Sequence, residues 1–86
     1  MKNVSVERMH KLNGNASTKA FCDIKLMDEY VVKGLRIVEG KDGLFLSMPQ
    51  AKGKDGKWYD TFHPLSQEAR KELQSFVLEE FKGSEN

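Results

Sequence analysis

Residues 35–49, LRIVEGKDGLFLSMP, place two apolar runs on either side of the tetrapeptide GKDG at residues 40–43. Asp-Gly between such runs indicates a β-hairpin, because a tight primed turn needs positive φ angles at its central residues. The second run, residues 44–48, is strongly apolar and predicts a buried strand that ends at Pro49. We therefore expect this hairpin to form the buried spine of a sheet, and it is also a candidate seam between two copies of the chain.

Alternating apolar residues predict further strands before the hairpin. Residues 4–12 form the first, and residues 20–26 the second, in which Phe21 puts an aromatic ring on the otherwise polar face. A third strand covers residues 30–38, where Gly34 indicates a bulge or a bend. Turn-forming residues separate these runs, so the strands are expected to pair as hairpins in a meander.

After the hairpin, residues 49–57 (PQAKGKDGK) predict an exposed loop, and residues 57–62 a short aromatic strand. About five strands, all within residues 4–62, are thus expected. The tetrapeptide GKDG recurs at residues 53–56, but its flanks do not repeat, so both copies are interpreted as turn chemistry. A KH-type G-x-x-G loop that clamps nucleotides would need a helix on each side, and here the flanks are strand-like.

Beyond His63-Pro64 the apolar period becomes helical. Apolar residues share one helix face, and Ser66 suits the N-cap position while Gly83 suits the position after the last turn. The pattern predicts a helix over about residues 66–82, with an apolar face at Leu65, Ala69, Leu73, Phe76, Val77 and Phe81. Strands followed by one helix are typical of an α+β domain, with the helix packed on one face of a small antiparallel sheet.

The 86 residues suit one small domain, 1–86, with a formal net charge of +1. A chain of this size is only marginally stable alone, so pairing with a second copy would help. No apolar run reaches the length of a membrane span, and the N-terminus lacks the apolar core of a signal peptide, so we expect a cytoplasmic protein with no membrane partner. One cysteine, Cys22, cannot form an internal disulfide, which agrees with a reducing compartment.

Residues capable of catalysis or metal binding are few. His10 and His63 have no spaced His or Cys partner, whereas zinc needs three or four such ligands. Cys22 lies on the apolar side of its strand, which indicates a buried structural thiol. Asp60 and His63 could form a general-base pair, although a turn-capping Asp and a His braced by Pro64 explain them more simply. We expect no enzymatic activity, no cofactor, no metal and no small-molecule substrate.

Five basic residues between residues 52 and 71 are interleaved with aromatic residues and lie on a predicted loop and the start of the predicted helix. Three lysines precede the aromatic pair Trp58 and Tyr59, and two more cations stand in the first turns of the helix, where backbone N–H groups favour a phosphate. A solvated lysine loop and an ordinary helix surface are the alternative. The candidate nucleic-acid-binding residues are Lys52, Lys54, Lys57, Arg70 and Lys71, with Arg36 as a secondary contributor.

Three blocks of this sequence, the first of which contains two family motifs, resemble the stage V sporulation protein G (SpoVG, septation regulator) family of bacteria. They are LRIVEGKDGLFLSMP at residues 35–49 (with the motifs LRIVEG at 35–40 and GLFLSMP at 43–49), KDGKWYD at 54–60 and HPLSQEARKELQ at 63–74. The resemblance extends over about residues 20–81. One departure is Ala51, which precedes Lys52 where the family usually has adjacent basic residues.

The resemblance implies a small homodimeric regulator that binds DNA and, in some members, RNA. It also implies that Lys52 and Arg70 contribute to the binding surface. Trp58 or Tyr59 can stack on an unpaired base, with core or dimer packing as the alternative for both rings. A rival function is a protein-interaction module in cell-division or envelope regulation, in which the acidic end of the helix meets a basic partner; its acidic residues are Glu72, Glu79 and Glu80.

Overall fold

A computed structural model describes residues 3–83 of the chain. Strands β1–β4 form one antiparallel sheet in chain order, and β5 and β6 form a separate two-stranded sheet. The elements are β1 Val4–Lys11, β2 Thr18–Leu26, β3 Tyr30–Gly40, β4 Gly43–Ser47, β5 Gln50–Lys52, β6 Trp58–Asp60 and α1 Gln67–Gly83. The predicted α+β class is confirmed, with six strands in two sheets instead of about five.

Helix α1 packs against one face of the main sheet. Leu73 and Val77 of the helix are buried together with alternate residues of β2, β3 and β4, and full burial of one such side chain contributes roughly 1.5–3 kcal/mol. The predicted apolar helix face is therefore confirmed at these two positions, but it is wrong at Leu65, which is 96% exposed. The sheet residues of this core are Ala20, Cys22, Ile24, Leu35, Ile37, Leu46 and Met48.

The start of α1 is capped as predicted. The Ser66 hydroxyl accepts a hydrogen bond from the Ala69 amide at 3.1 Å, and the Ser66 carbonyl accepts one from the Arg70 amide at 3.0 Å. A serine that binds the third helical amide in this way satisfies one of the four free donors of a helix start. Ser66 thus fixes where the helix begins.

The predicted hairpin of residues 35–49 is confirmed, because β3 and β4 pair antiparallel up to Gly40 opposite Gly43. Its turn is different from the primed form. The positive φ angle, 113°, belongs to Gly43, and neither Lys41 nor Asp42 has one. A type I turn followed by a glycine with positive φ is the common three-residue alternative.

The primed geometry is present instead between β2 and β3. Met27 and Asp28 have φ angles of 53° and 58°, and the Glu29 amide donates to the Leu26 carbonyl at 3.0 Å. Two consecutive positive φ angles closed by such a bond define a type I′ turn, whose twist suits the strands on either side. Aspartate is one of the non-glycine residue types that are enriched at positive φ, whereas methionine adopts it only rarely.

The prediction that the hairpin forms the buried spine is right for β3, which is an interior strand together with β2, and wrong for β4, which is an edge strand. Its apolar run has another cause, since Leu46 and Met48 are buried in the core that α1 covers while Phe45 is 41% exposed on the other face. The helix also satisfies the outer edge, because the Leu46 amide donates to Gln74 Oε1 at 3.0 Å. A seam between copies along β4 stays a prediction.

The main sheet has three register shifts, one of them between Thr18 and Ala20. The bulge predicted at Gly34 is confirmed by a register shift between β2 and β3, a φ angle of 92°, and a 3.2 Å hydrogen bond from the Gly34 amide to Asp23 Oδ1. In β1 another shift between Val6 and Arg8 leaves Glu7 without a ladder partner. The Glu7 carboxylate lies 3.3 Å from Lys25 Nζ on the next strand.

Candidate nucleic-acid interface

The small sheet of β5 and β6 carries the first part of the candidate site. Gln50 lies opposite Asp60, Ala51 opposite Tyr59, and Lys52 opposite Trp58. The predicted exposed loop of residues 49–57 is therefore wrong at residues 50–52, which form a strand. Three polar or small residues are too few to show an alternating pattern, so no local signal marks β5 in the sequence.

The turn between β5 and β6 is the second GKDG tetrapeptide. The Gly56 amide donates to the Gly53 carbonyl at 3.0 Å, and Gly56 has a φ angle of 84°. Its position matches that of Gly43, the positive-φ glycine that ends the first copy. Both copies thus put their last glycine in a conformation that other residues rarely adopt, which supports the interpretation as turn chemistry.

Asp55 and Tyr59 brace this turn. Asp55 Oδ1 accepts a hydrogen bond from the Lys57 amide at 3.0 Å, and Oδ2 accepts one from the Tyr59 hydroxyl at 2.5 Å. The Tyr59 ring lies over Gly53, where an added Cβ would be 2.8 Å from ring atom Cε2. The turn that presents Lys54 and Lys57 therefore has a defined shape although it is exposed.

The same hydrogen bonds shift the pKa of both side chains. The Tyr59 hydroxyl, and after it the Lys57 amide, lower the pKa of Asp55 below its ordinary value of 3.8. Asp55 in turn raises the pKa of Tyr59 above 10.0, because ionised Asp55 needs the hydroxyl proton as its hydrogen-bond donor. At neutral pH the carboxylate is charged, the phenol is protonated, and the brace is intact.

Trp58 faces away from this brace. It shares a face of the small sheet with Lys52, its cross-strand partner, since directly paired residues point the same way. Its side chain is 61% exposed and borders a concave pocket of about 440 Å³. Core packing, which the sequence left open for Trp58, is therefore wrong within a single chain. The pocket is lined by Gly34, Arg36, Gln50 and Trp58.

Arg36 enters this pocket from the main sheet. It lies between the buried residues Leu35 and Ile37, so it points to the face opposite α1, and its Nη2 donates to Ser47 Oγ at 3.2 Å. Gln50 has a fixed partner as well, because its Nε2 donates to Asp60 Oδ1 at 2.8 Å. An oriented guanidinium, an oriented amide and an exposed indole thus meet in one concavity.

The structure separates the predicted binding residues into two groups. The lysines at 52, 54 and 57 are exposed on or beside the small sheet, and Arg36 borders the same pocket as Trp58. Arg70, which is half-buried, and the exposed Lys71 belong to α1, which packs on the other face of the main sheet from Arg36. Among residues 3–83, the two ion pairs are Lys19–Glu39 and Lys25–Glu7, and neither engages these side chains.

Sequence reasoning missed Gln50 as a pocket residue, and only the bulge at Gly34 hinted that the backbone opens there.

Hydrogen bonds and burial also decide the roles of three reactive side chains. Asp60 is bonded to Gln50, and His63 Nδ1 lies 3.0 Å from the Pro64 carbonyl, so their hydrogen bonds do not form the general-base pair. Cys22 is buried, and desolvation, helped by the nearby Asp23 charge, raises its pKa to about 11.

Two negative findings apply to the described part of the chain, residues 3–83. No group of three or more His, Cys, Asp or Glu side chains is placed to hold a metal ion. Within these residues the one helix, α1, is not long and apolar enough to cross a membrane.

Fold and surface together define a small α+β domain with a basic and aromatic surface beside its main sheet. The SpoVG family model matches residues 1–83. The "Putative septation protein SpoVG" of Archaeoglobus fulgidus is 42% identical over 85 residues, which is 99% of this chain and 100% of the relative. Proteins of the same name from Caldanaerobacter subterraneus (38% identical; 92% and 88% covered) and Agathobacter rectalis (36%; 87% and 86%) are also similar. The chain belongs to the SpoVG family.

Proposed function

We propose that this protein is a cytoplasmic, non-enzymatic regulator that binds nucleic acid and acts as a homodimer in gene regulation, septation or sporulation control. The observation that carries the proposal is the pairing of Lys52 with Trp58 beside Arg36. Cations supply phosphate contacts, and an exposed aromatic face supplies a stacking surface for a base. The names of the relatives support septation as the process.

The lysines of the small sheet contact the phosphate backbone. Lys52 ends strand β5, and Lys54 and Lys57 lie on or beside the turn whose shape the Asp55–Tyr59 hydrogen bond holds. Their charges are therefore presented together and not on a freely moving loop. Each neutralised phosphate releases counterions, which makes binding weaken with salt at a slope of roughly −0.9 per contact on duplex DNA. Affinity is therefore steeply dependent on ionic strength.

Trp58 is the aromatic residue that stacks on an unpaired base. Tyr59, the other candidate, is engaged with Asp55 and Gly53 in the turn, whereas Trp58 is exposed on the pocket side. A stacked base next to the Arg36 guanidinium gains both ring contact and charge, which favours single strands or RNA.

Arg70 and Lys71 form the second phosphate-binding group. They stand in the first turns of α1, whose N-terminal backbone amides add partial positive charge. Because α1 and Arg36 lie on opposite faces of the main sheet, the two groups contact different parts of a bound strand.

The homodimer is supported by an apolar surface at the start of α1. Leu65 is 96% exposed, and next to it an apolar pocket of about 200 Å³ is lined by residues that include Phe62, Pro64 and Leu73. A second copy that covers this surface would remove a fully exposed leucine from water, worth roughly 1.5–3 kcal/mol per copy. Two linked binding surfaces would also raise affinity through effective concentration. Sedimentation of wild type and Leu65→Ser tests it, and an unchanged monomer–dimer equilibrium excludes this surface.

One titration tests nucleic-acid binding. Labelled duplex DNA and RNA are titrated with wild type, with Arg70→Ala combined with Lys71→Ala, and with Lys54→Ala, at rising salt. Lys41→Ala is a matched control, because Lys41 is the same residue of an identical GKDG turn at another place in the fold. We expect the Lys54 and helix variants to weaken binding and to flatten the salt slope by about one unit for each phosphate that is no longer neutralised.

Three results would contradict the proposal. They are the absence of binding near ~100 mM salt, where backbone contacts still operate, equal affinity of the helix variant and wild type, and equal losses for Lys54→Ala and Lys41→Ala. The first result would favour the protein-interaction module, for which the exposed Glu79 and Glu80 offer an acidic surface.

A further inference from the structure

The main sheet has a second face, which α1 does not cover. Alternate residues of each strand point to it, since residues of the same strands at the intervening positions form the core. One row of cross-strand neighbours crosses this face: His10 lies opposite Phe21, Phe21 opposite Arg36, and Arg36 opposite Ser47. With strands about 4.8 Å apart, the row extends over roughly 14 Å.

Aromatic rings on this face are exposed. Phe21 is 44% and Phe45 41% accessible, which is unusual for phenylalanine because it leaves much of its transfer free energy unused. Phe45 adjoins the row, since it pairs with Val38, which is two residues from Arg36 on the same side of β3. The rings of Phe21 and Phe45 are therefore both neighbours of Arg36 on this face.

The charge of the face is positive. Three cations, Arg8, Lys25 and Arg36, point to it against two carboxylates. Glu7 pairs with Lys25, and Asp23 lies opposite Arg8 while it accepts the Gly34 amide, so the excess positive charge is that of Arg36. Anions are therefore attracted to this side of the sheet, and a basic protein partner is not.

Two concavities flank the pair of Phe21 and Arg36. The pocket of about 440 Å³ joins Arg36 to Trp58, and a pocket of about 190 Å³ is lined by Arg8, His10, Phe21 and Asp23. Along the row the surface thus alternates between rings, cations and hollows, from Trp58 on the small sheet to His10 on β1.

We propose that this uncovered face is a track for single-stranded nucleic acid, on which Phe21 stacks a base between the Trp58 pocket and β1. The inference rests on nucleic acid being the partner, as proposed above, and extends the site from the lysine turn onto the main sheet. Phosphates of the strand pair with Arg36 and Arg8. Single-strand binders combine a positive path with aromatic platforms in this way, and RRM domains stack two or three bases on a four-stranded sheet.

The test compares strandedness within one set of variants. A fluorescein-labelled single-stranded RNA of mixed sequence and a duplex DNA are titrated by anisotropy with wild type, Phe21→Leu, Phe21→Tyr and Tyr30→Leu. Leucine keeps the apolar bulk but removes the ring, and tyrosine restores the ring. Tyr30 is a matched control, because it is an exposed aromatic residue paired with Leu26, which packs on the helix-covered side.

We expect Phe21→Leu to weaken single-strand binding about fivefold or more, the loss of one stacked base. Duplex affinity and the affinities of Phe21→Tyr and Tyr30→Leu should stay within about twofold of wild type. The chain has one tryptophan, so quenching of its fluorescence by the single strand reports stacking at Trp58 directly. If Phe21→Leu does not fold by circular dichroism, Phe45→Leu replaces it, and ultraviolet crosslinks of wild type to the single strand should map to Phe21.

Several outcomes overturn the inference and leave the proposed function standing: duplex binding without single-strand binding, equal single-strand affinity of Phe21→Leu and wild type, or crosslinks confined to residues 52–71. A changed sedimentation profile for Phe21→Leu with unchanged single-strand affinity would show that a second copy covers the face. Absence of binding to both nucleic acids would overturn the inference and the proposed function together.

Discussion

Gln74 Oε1 of the helix accepts a hydrogen bond from the backbone N–H of Leu46 at 3.0 Å, so a helix side chain takes the place of a neighbouring strand at the edge of β4. Leu46 is fully buried, so without this bond its backbone N–H would be an unsatisfied hydrogen-bond donor. The contact fixes both the position of α1 along the sheet and the end of the sheet at β4.

Replacing Gln74 with Met should lower the free energy of unfolding by about 1–2 kcal/mol, because the buried Leu46 amide loses its acceptor while the length of the side chain is kept. Urea denaturation monitored by circular dichroism measures the loss. Gln74→Glu is the control, since its carboxylate can still accept the bond. Equal stability of Gln74→Met and wild type would mean that this bond contributes nothing.

The Asp55–Tyr59 brace predicts a pH dependence of the turn. The lowered pKa of Asp55 means that its stabilising effect is present above the ordinary value of 3.8 and is lost as pH falls through the lowered value. The raised pKa of Tyr59 means that its effect is present below 10.0 and is lost as pH rises through the raised value. Carbon-detected NMR titration of Asp55 should show its pKa move up toward normal in Tyr59→Phe. An unchanged pKa in that variant would refute the assigned cause.

Gly53→Ala should displace the Tyr59 ring, since an added Cβ would lie 2.8 Å from ring atom Cε2. The ring is half exposed and can move, so we expect a change in stability below about 1 kcal/mol together with a rise in the Asp55 pKa and weaker nucleic-acid binding. Gly83→Ala is the control, because nothing lies within 4 Å of a Cβ there. The prediction fails if Gly53→Ala keeps the wild-type Asp55 pKa.

Cys22 should resist thiol reagents in the native protein. Burial raises its pKa to about 11, so the reactive thiolate is scarce and the sulfur is inaccessible. Because the raised pKa stabilises the protonated form in the fold, this contribution to stability is full below 9.0 and is lost as pH rises toward 11. Labelling with a maleimide at pH 8 should be slow in buffer and fast in urea; equal rates would contradict it.

The sequence was a good guide where one local pattern determines the structure. Alternation predicted β2, and the helical period predicted α1. The cap at Ser66 was predictable because a single side chain, that of Ser66, accepts the hydrogen bond of the helix start. The bulge at Gly34 was predicted for the same reason, since only glycine adopts its φ angle of 92° without strain.

Features that depend on distant partners were not visible. The apolar run of β4 looks central in sequence, but Gln74 and the helix, not two neighbouring strands, account for its environment. Likewise Arg36 and Trp58 are far apart in the sequence and share a pocket only because β5 and β6 fold beside the bulge. Phe21 stood out in the sequence as an aromatic on a polar face, and in the structure it lies between His10 and Arg36 on the uncovered face of the main sheet.

The bulge at Glu7 has a consequence for assembly. An even outer strand would offer its amides and carbonyls to the same strand of another molecule, and sheets could then grow end to end into fibres. The extra residue in β1 breaks that regular spacing. Its carboxylate pairs with Lys25 of the inner neighbour β2, so this ion pair braces the irregular end of β1. Together with the Gln74 contact at β4, this irregular edge limits open-ended growth of the sheet at both of its outer strands.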